Sequence, residues 1–198
     1  MATGKNDARN VSVGKPMASG GMFVAPLGTK LPTDASSPLS EEFVDVGFIS
    51  EDGVTNSVET DSNDIKAWGG VTVLTAQSSR TETFQATLIE TNETVLKQAY
   101  GDANVTGSLK SGSLKILHNG NTGDHHVVVF EILMTGNRVK RIVIPDCAMT
   151  ELGDVVYNDS DPIGYETTNT AYPDAEGNTA YEYIAQISSA GSPVESHS

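Results

Sequence analysis

The chain has 198 residues, enough for one hydrophobic core with or without arms. Hydrophobic residues make up 37 % and charged residues 19 %, and Gly, Thr, Ser and Asn are plentiful, a balance that suits a thin, strand-rich fold. Acids outnumber bases 26 to 12, for a formal charge of −14, which argues against a nucleic-acid footprint and against docking on an anionic membrane.

In chain order, residues 1–40 carry scattered Gly and Pro, and only Met22-Phe23-Val24-Ala25 looks able to pack. The segment predicts an extended N-terminal arm that a partner would have to order. Its Lys5, Arg9 and Lys15 lack an apolar run behind them, so no signal peptide is expected. A β-rich domain is expected over 41–187, and a polar C-terminal tail over 188–198. Phe43 to Ile49 is strand-like, Glu51-Asp52-Gly53 reads as a turn, and 54–59 as a second strand. Asp61-Ser62-Asn63-Asp64 reads as a loop before Ile65-Lys66-Ala67-Trp68 and the break Gly69-Gly70. A hairpin is expected over 71–77 and 81–89, turning at Ser78-Ser79-Arg80. Its second strand alternates: Phe84, Ala86 and Leu88 point one way, Thr81, Thr83, Gln85 and Thr87 the other, giving one packed and one uncharged polar face.

Thr91-Asn92-Glu93-Thr94 opens a short helix near 92–100 with an apolar stripe of Val95, Leu96, Ala99 and Tyr100, stopped by Gly101. It is too short to stand alone and must lie on a sheet. Strands follow over 113–118, 124–134 and 138–150, with turns at Asn119 to Gly123 and Thr135-Gly136-Asn137. Val127-Val128-Val129-Phe130 is apolar at both parities, so each strand face needs cover, from another layer or a second subunit. Further strands are expected over 154–157, 163–172 and 179–187, the last two joined across Pro173-Asp174-Ala175-Glu176-Gly177-Asn178 as a hairpin. The fold class is mainly β: a sandwich or barrel-like subunit with one short flanking α-helix.

No constellation for catalysis emerges. Asp174, Glu176 and Gly177 fail the alternate-ligand spacing of a calcium loop, and Asp154, Asn158, Asp159 and Asp161 read better as turn chemistry than as a metal site. His125 and His126, adjacent on a strand, face opposite ways; a site combining one of them with His118 is a weaker reading than satisfied or exposed histidines. Cys147, the sole cysteine, permits no internal disulfide, which points to synthesis in a reducing cytoplasm, and it reads as a small buried hydrophobe. Gly107 to Gly112 opens like a phosphate-binding loop, but Ser113 stands where Lys is needed. Arg138, Lys140 and Arg141 could meet the acidic surface of a neighbouring copy. No cofactor, no metal and no enzymatic activity are expected, and no apolar stretch approaches membrane-spanning length.

Four ordered stretches together resemble the major tail tube proteins of long, non-contractile-tailed bacteriophages. They are Phe43-Val44-Asp45-Val46-Gly47-Phe48-Ile49-Ser50-Glu51-Asp52-Gly53-Val54; Asp64-Ile65-Lys66-Ala67-Trp68-Gly69-Gly70; residues 81–92 running into the helix; and residues 141–150 with Gly164-Tyr165 and Ala171-Tyr172-Pro173-Asp174. The resemblance implies a virion protein, made in the host bacterial cytoplasm, whose subunits form hexameric rings with strands joined into an inner β-barrel. The rings stack into a tube for ejected double-stranded DNA, with tail tape measure, tail terminator and distal tail proteins as further partners. On that reading Thr81, Thr83, Gln85 and Thr87 are candidates for lining the bore, and Asp61, Ser62, Asn63 and Asp64 for contacting the next ring. The same subunit physics would serve a tube of a contractile particle. The alternative from another class is a surface-displayed β-sandwich adhesin or carbohydrate-binding module with calcium in its acidic loops.

Overall fold

Polar residues with a period of two, broken by Gly and Asn, dictate strands and turns, and a computed structural model of the chain, describing residues 6–120 and 123–187, is mainly β. Short strands come first: β1 (Gly14–Pro16), β2 (Met22–Pro26) and β3 (Val44–Asp45). Two long strands, β4 (Ile49–Lys66) and β5 (Thr72–Leu88), precede the helix α1 (Glu93–Tyr100). A small hairpin of β6 (Val105–Ser108) and β7 (Ser113–Ile116) leads to the long pair β8 (His125–Met134) and β9 (Arg138–Leu152), then β10 (Tyr165–Ala171) and β11 (Tyr181–Gln186). Expected residues 1–5, 121–122 of the turn after β7, and the tail 188–198 lie outside the described residues.

The main sheet runs β3–β2–β8–β9–β10–β5–β4, all pairs antiparallel. Both edges of the central pair carry interrupted strands. β2 pairs with the first half of β8 and β1 with its end; β10 pairs with the second half of β9 and β11 with its beginning. The sheet curls so that its two ends are linked by residues 46–48, with no ladder between β3 and β4 among the described residues. The Val46 N–H donates to the Met22 carbonyl (3.1 Å), and the Phe48 carbonyl accepts from the Ile89 N–H (3.0 Å), so the stretch between β3 and β4 passes from one end of the sheet to the other.

Inside the curl, alternate residues of each strand converge. Phe84 of β5 stacks on Phe130 of β8, ring centres 5.8 Å apart, amid Met22, Leu88, Val128, Ile142 and Ile144. Truncating such a ring typically costs about 3–5 kcal/mol. α1 closes the barrel with Val95, Leu96 and Ala99. Its start is fixed as the sequence predicts: Asn92 Oδ1 accepts the Val95 N–H at 2.9 Å, and the Gly101 N–H donates to the Lys97 carbonyl.

The second apolar face of β8 is covered by the chain itself. Val129, Phe23 and Val143 pack under Leu31, Leu39 and Phe43 of the strap 27–43 and beside Tyr181 and Tyr183. Arg141, 3 % exposed, anchors the strap: its guanidinium pairs with Glu131 and donates to the carbonyls of Asp34 (2.7 Å) and Ser37 (2.8 Å). The segment expected to form an extended N-terminal arm supplies β1, β2 and most of this strap, and Met22 to Ala25 is its packed part.

Three expected turns differ. Ser78-Ser79-Arg80 is not a hairpin turn; β5 runs through it with a register shift between Asp61 and Ser62 of β4. Glu51-Asp52-Gly53 lies within β4 at another register shift, between Ile49 and Val54, and Asp61-Ser62-Asn63-Asp64 is strand, not loop. Bulges use turn-forming residues, so composition alone does not separate the two. β10 and β11 do not pair with each other: residues 172–180 leave the edge of β9 and return to it, Tyr172 N–H donating to the Asp146 carbonyl. Residues 154–157 form no strand.

Candidate functional site

The outward face of β5 and its neighbours is an extended polar surface. Phe84, Ala86 and Leu88 are buried, so Thr81, Thr83, Gln85 and Thr87 point out, as the alternation predicts. Register extends this face sideways. Thr55 stands opposite Gln85, Ser57 opposite Thr83 and Glu59 opposite Thr81 on β4; Glu166, Thr168 and Thr170 stand opposite Thr87, Gln85 and Thr83 on β10. Thr150 of β9 joins through its hydroxyl, 2.9 Å from that of Thr170. Gln85 Nε2 donates to Glu166 Oε1 at 2.5 Å, tying adjacent strands. The result is a four-strand surface of hydroxyls and amides in which the only charges among these residues are carboxylates. It ends at β4, whose outer edge pairs with nothing among the described residues.

Beyond the body, β4 and β5 continue as a two-stranded ribbon. Asp61, Ser62, Asn63 and Asp64 lie on its shaft, exposed, with Asp61 accepting from Ser79 Oγ (2.9 Å) and Asp64 from Thr75 Oγ1 (2.7 Å). The ribbon turns at residues 67–71, where the Ala67 N–H donates to the Val71 carbonyl at 2.8 Å. Trp68 projects there fully exposed, with Ile65, Val71, Val73 and Leu74 each more than half exposed around it. This apolar head is the feature sequence reasoning missed; its signal was five large apolar residues crowded about a Gly-Gly turn.

A buried hub holds the ribbon's root. Glu82, 8 % exposed, accepts from Asn56 Nδ2 (3.0 Å), Arg80 Nη2 (2.9 Å) and Thr179 Oγ1, joining β4, β5 and the 172–180 excursion. Burial pushes its carboxyl pKa up, but the hydrogen bonds from Thr179, Asn56 and Arg80, with the Arg80 charge, together outweigh that and leave it lowered.

The other candidates resolve into local structure. Asp174 accepts the Tyr181 hydroxyl and the Asn178 and Glu176 N–H groups, which lowers its pKa and closes the turn. Asn158 accepts the Ser160 and Asp161 N–H groups. His118 stacks on Tyr100, His125 meets Asp146 (2.5 Å) and His126 meets Asp102 (3.3 Å), so the histidines are committed to separate partners. Burial pushes the Cys147 thiol up to about 12, far from a reactive thiolate. The three bases expected to reach a neighbouring copy are engaged within the chain: Arg138 with Ser12 (2.6 Å), Lys140 with Glu182 (2.7 Å) and Arg141 with Glu131.

A family model described as "Phage tail tube protein" matches residues 6–193. No curated protein matches the chain. Among solved structures, the cryo-EM structure of the anti-feeding prophage cap, a tube-terminating cap, is similar at 10 % identity with a TM-score of 0.40, over 93 % of this chain and 100 % of that one, a likeness too loose to carry an argument.

Proposed function

The chain belongs to the phage tail tube protein family and is a structural protein of the viral tail, and from that premise we propose that it assembles into stacked, hexameric rings whose bore passes double-stranded DNA. The observation that carries this reading is the four-strand hydroxyl face. Thr81, Thr83, Gln85 and Thr87, with Thr55, Ser57, Thr150, Thr168 and Thr170, line the bore. A conduit for DNA must hydrate the backbone without gripping it. Lys or Arg on such a wall would exchange condensed counterions for phosphate contacts and hold the duplex; hydroxyls and scattered carboxylates do not.

The free edge of β4 favours the same arrangement. Eighteen residues of strand whose outer side is unpaired among the described residues invite pairing with another chain. Lateral contact between the β4 edge and a neighbouring copy continues the hydroxyl face round the ring and removes the exposed edge. Asp61, Ser62, Asn63 and Asp64, on the shaft of the ribbon, lie where the next ring passes. Tape measure, terminator and distal tail proteins meet the tube at its bore and ends.

Negative-stain microscopy of the purified chain across a concentration series tests this. Rings and tubes with an open bore are expected, unaffected by chelator. A monodisperse monomer at high concentration would overturn it.

A further inference from the structure

The hydroxyl face has a second border, on the side away from β4, and there its chemistry changes. Cys147 of β9 points into the barrel core, so Asp146 and Ala148 on either side of it face outward. Ala148 stands opposite Thr170 on β10 and opposite His125 on β8, which brings His125 onto the same face as Thr150 and Thr170. Tyr172, two residues beyond Thr170, stacks on it with ring centres 5.0 Å apart. The Tyr172 N–H donates to the Asp146 carbonyl at 2.8 Å, which fixes that approach. A face of hydroxyls and amides on β4, β5 and β10 thus ends at β8 in an imidazole.

The imidazole is held from one side. His125 Nδ1 lies 2.5 Å from Asp146 Oδ1. A carboxylate accepts, so Nδ1 carries the hydrogen and in the neutral ring Nε2 is bare. Nε2 makes no hydrogen bond among the described residues, and the side chain is 43 % exposed. The other titratable groups about it are Tyr172, Asp124 next in the chain, and Glu42, Glu93, Lys97 and Asp102 along the cleft between β2 and α1. A neutral ring presents a phosphodiester with a lone pair, which repels it. A proton taken from solvent at Nε2 makes the same atom a charged N–H donor, the kind that bonds phosphate oxygens strongly, and Asp146 keeps the ring aimed. The nearest fixed cation does not compete: Arg80, beside Thr81, is engaged by Glu82 and Thr179. His126 does not double the effect, because it faces the other way and meets Asp102.

We infer that His125 is a proton-dependent contact for the phosphodiester backbone of duplex DNA, bare and non-adhesive when neutral and a donor to phosphate when protonated. The inference rests on the reading of the hydroxyl face as the wall of the bore, and adds the residue on that wall that changes from passive to binding. Because every subunit carries it, a modest contact per chain is repeated round each ring and along the tube.

Assembled tubes, incubated with a short DNA duplex at low ionic strength and then treated with nuclease, test this through the amount of duplex protected. The comparison is between about pH 8 and about pH 5.5, on either side of the range in which histidine titrates. Protection by wild-type tubes is expected to rise at least about tenfold at the acid pH, the yield of one charge-assisted contact, and to fall again as salt is added. His125→Gln keeps a polar side chain at this exposed position without the charge, and should hold the low value at both pH values. His125→Lys should hold the high value at both. Wild-type tubes with equal protection at the two pH values overturn the contact without recourse to a variant, and so does an acid rise that survives in His125→Gln. His125→Lys tubes that protect no duplex overturn it as well. The bore reading then stands if tubes of Gln85→Lys with Thr87→Lys retain duplex, and falls with the contact if they also protect none.

Discussion

Gly47 sits where the curled sheet closes, and replacing it with Ala tests that closure. Its φ is +100°, and an added Cβ would fall on the Glu90 carboxylate, 2.5 and 2.6 Å from the two oxygens. That carboxylate accepts the Phe48 N–H (2.9 Å) and holds Asn92 Nδ2 (3.0 Å), while Asn92 also donates to the Val46 carbonyl (3.1 Å) and caps α1. The left-handed backbone costs a non-glycine residue about 1 kcal/mol. Loss of a charge-assisted hydrogen bond, largely replaced by water, costs about 1 kcal/mol more, and a disturbed N-cap about another 1. The sum, about 3 kcal/mol, corresponds to a fall in Tm of about 6–12 °C for a chain of this size. Gly53→Ala is the control: its φ is +72°, but nothing lies within 4 Å of an added Cβ, so about 1 kcal/mol is expected. Thermal unfolding of unassembled protein by circular dichroism separates the two. In the Glu90→Ala background the steric part of the Gly47→Ala penalty should vanish. Equal losses for Gly47→Ala and Gly53→Ala, or no coupling to Glu90, would refute the argument.

Arg141→Met should cost about 3–5 kcal/mol, because Glu131 is left buried without its counter-charge; hydrogen exchange should speed first in strap 27–43, and Arg141→Met with Glu131→Leu should recover much of the loss. Glu82 carries a lowered pKa, so the folded state prefers its carboxylate. Its stabilising contribution is complete above the unfolded value of about 4.3 and is lost as pH falls through the lower folded value. Glu82→Gln should flatten the acid limb of the stability profile in urea titrations, and an unchanged limb would remove the hub from the account. Gln85→Lys with Thr87→Lys, on the outward face, should leave folding and tube formation intact but slow DNA ejection from reconstituted virions, most at low ionic strength. Ejection at the wild-type rate would take that face out of the bore.

The parts legible in the sequence are those where burial imposes a period. Phe84, Ala86 and Leu88 against Thr83, Gln85 and Thr87 fix β5 in the body, and Asn92 with Gly101 fixes both ends of α1. Val127 to Phe130, apolar at both parities, announced two covered faces, though not that residues 31–43 of the same chain cover one of them. The ribbon was illegible because nothing buries it. Asp61 to Asp64 has the composition of a loop and becomes strand only through its ladder to residues 75–79, a partnership with no apolar alternation to reveal it. The stretch from Thr170 to Tyr183 has the residues of a hairpin, but β10 and β11 both pair with the edge of β9 and not with each other, a choice made by residues 15 to 48 positions upstream.

That leaves the question of what keeps the long ribbon in register where no core holds it. A slip of one residue in β5 would carry Phe84, Ala86 and Leu88 onto the hydroxyl face and Thr83, Gln85 and Thr87 into the barrel, so the body end cannot move. Beyond Glu82 the penalty disappears, and the sequence substitutes polar fasteners. Glu82 binds Asn56 across the ladder and Thr179 outside it, so the last core-facing position of β5 is also tied to β4 and to the excursion from β9. Ser79 to Asp61 and Thr75 to Asp64 are hydroxyl-to-carboxylate bonds on either side of the register shift at Ser78. Each is exposed and weak alone, but a slipped ribbon would break both at once and place apolar side chains opposite carboxylates. Bore face and apolar head thus belong to one continuous pair of strands, clamped at Glu82. A disturbance at that clamp acts on the root of the ribbon, so Glu82→Gln should loosen the pairing of β4 with β5 beyond the body as well as flatten the acid limb, with Thr83, Gln85 and Thr87 still on the outward face.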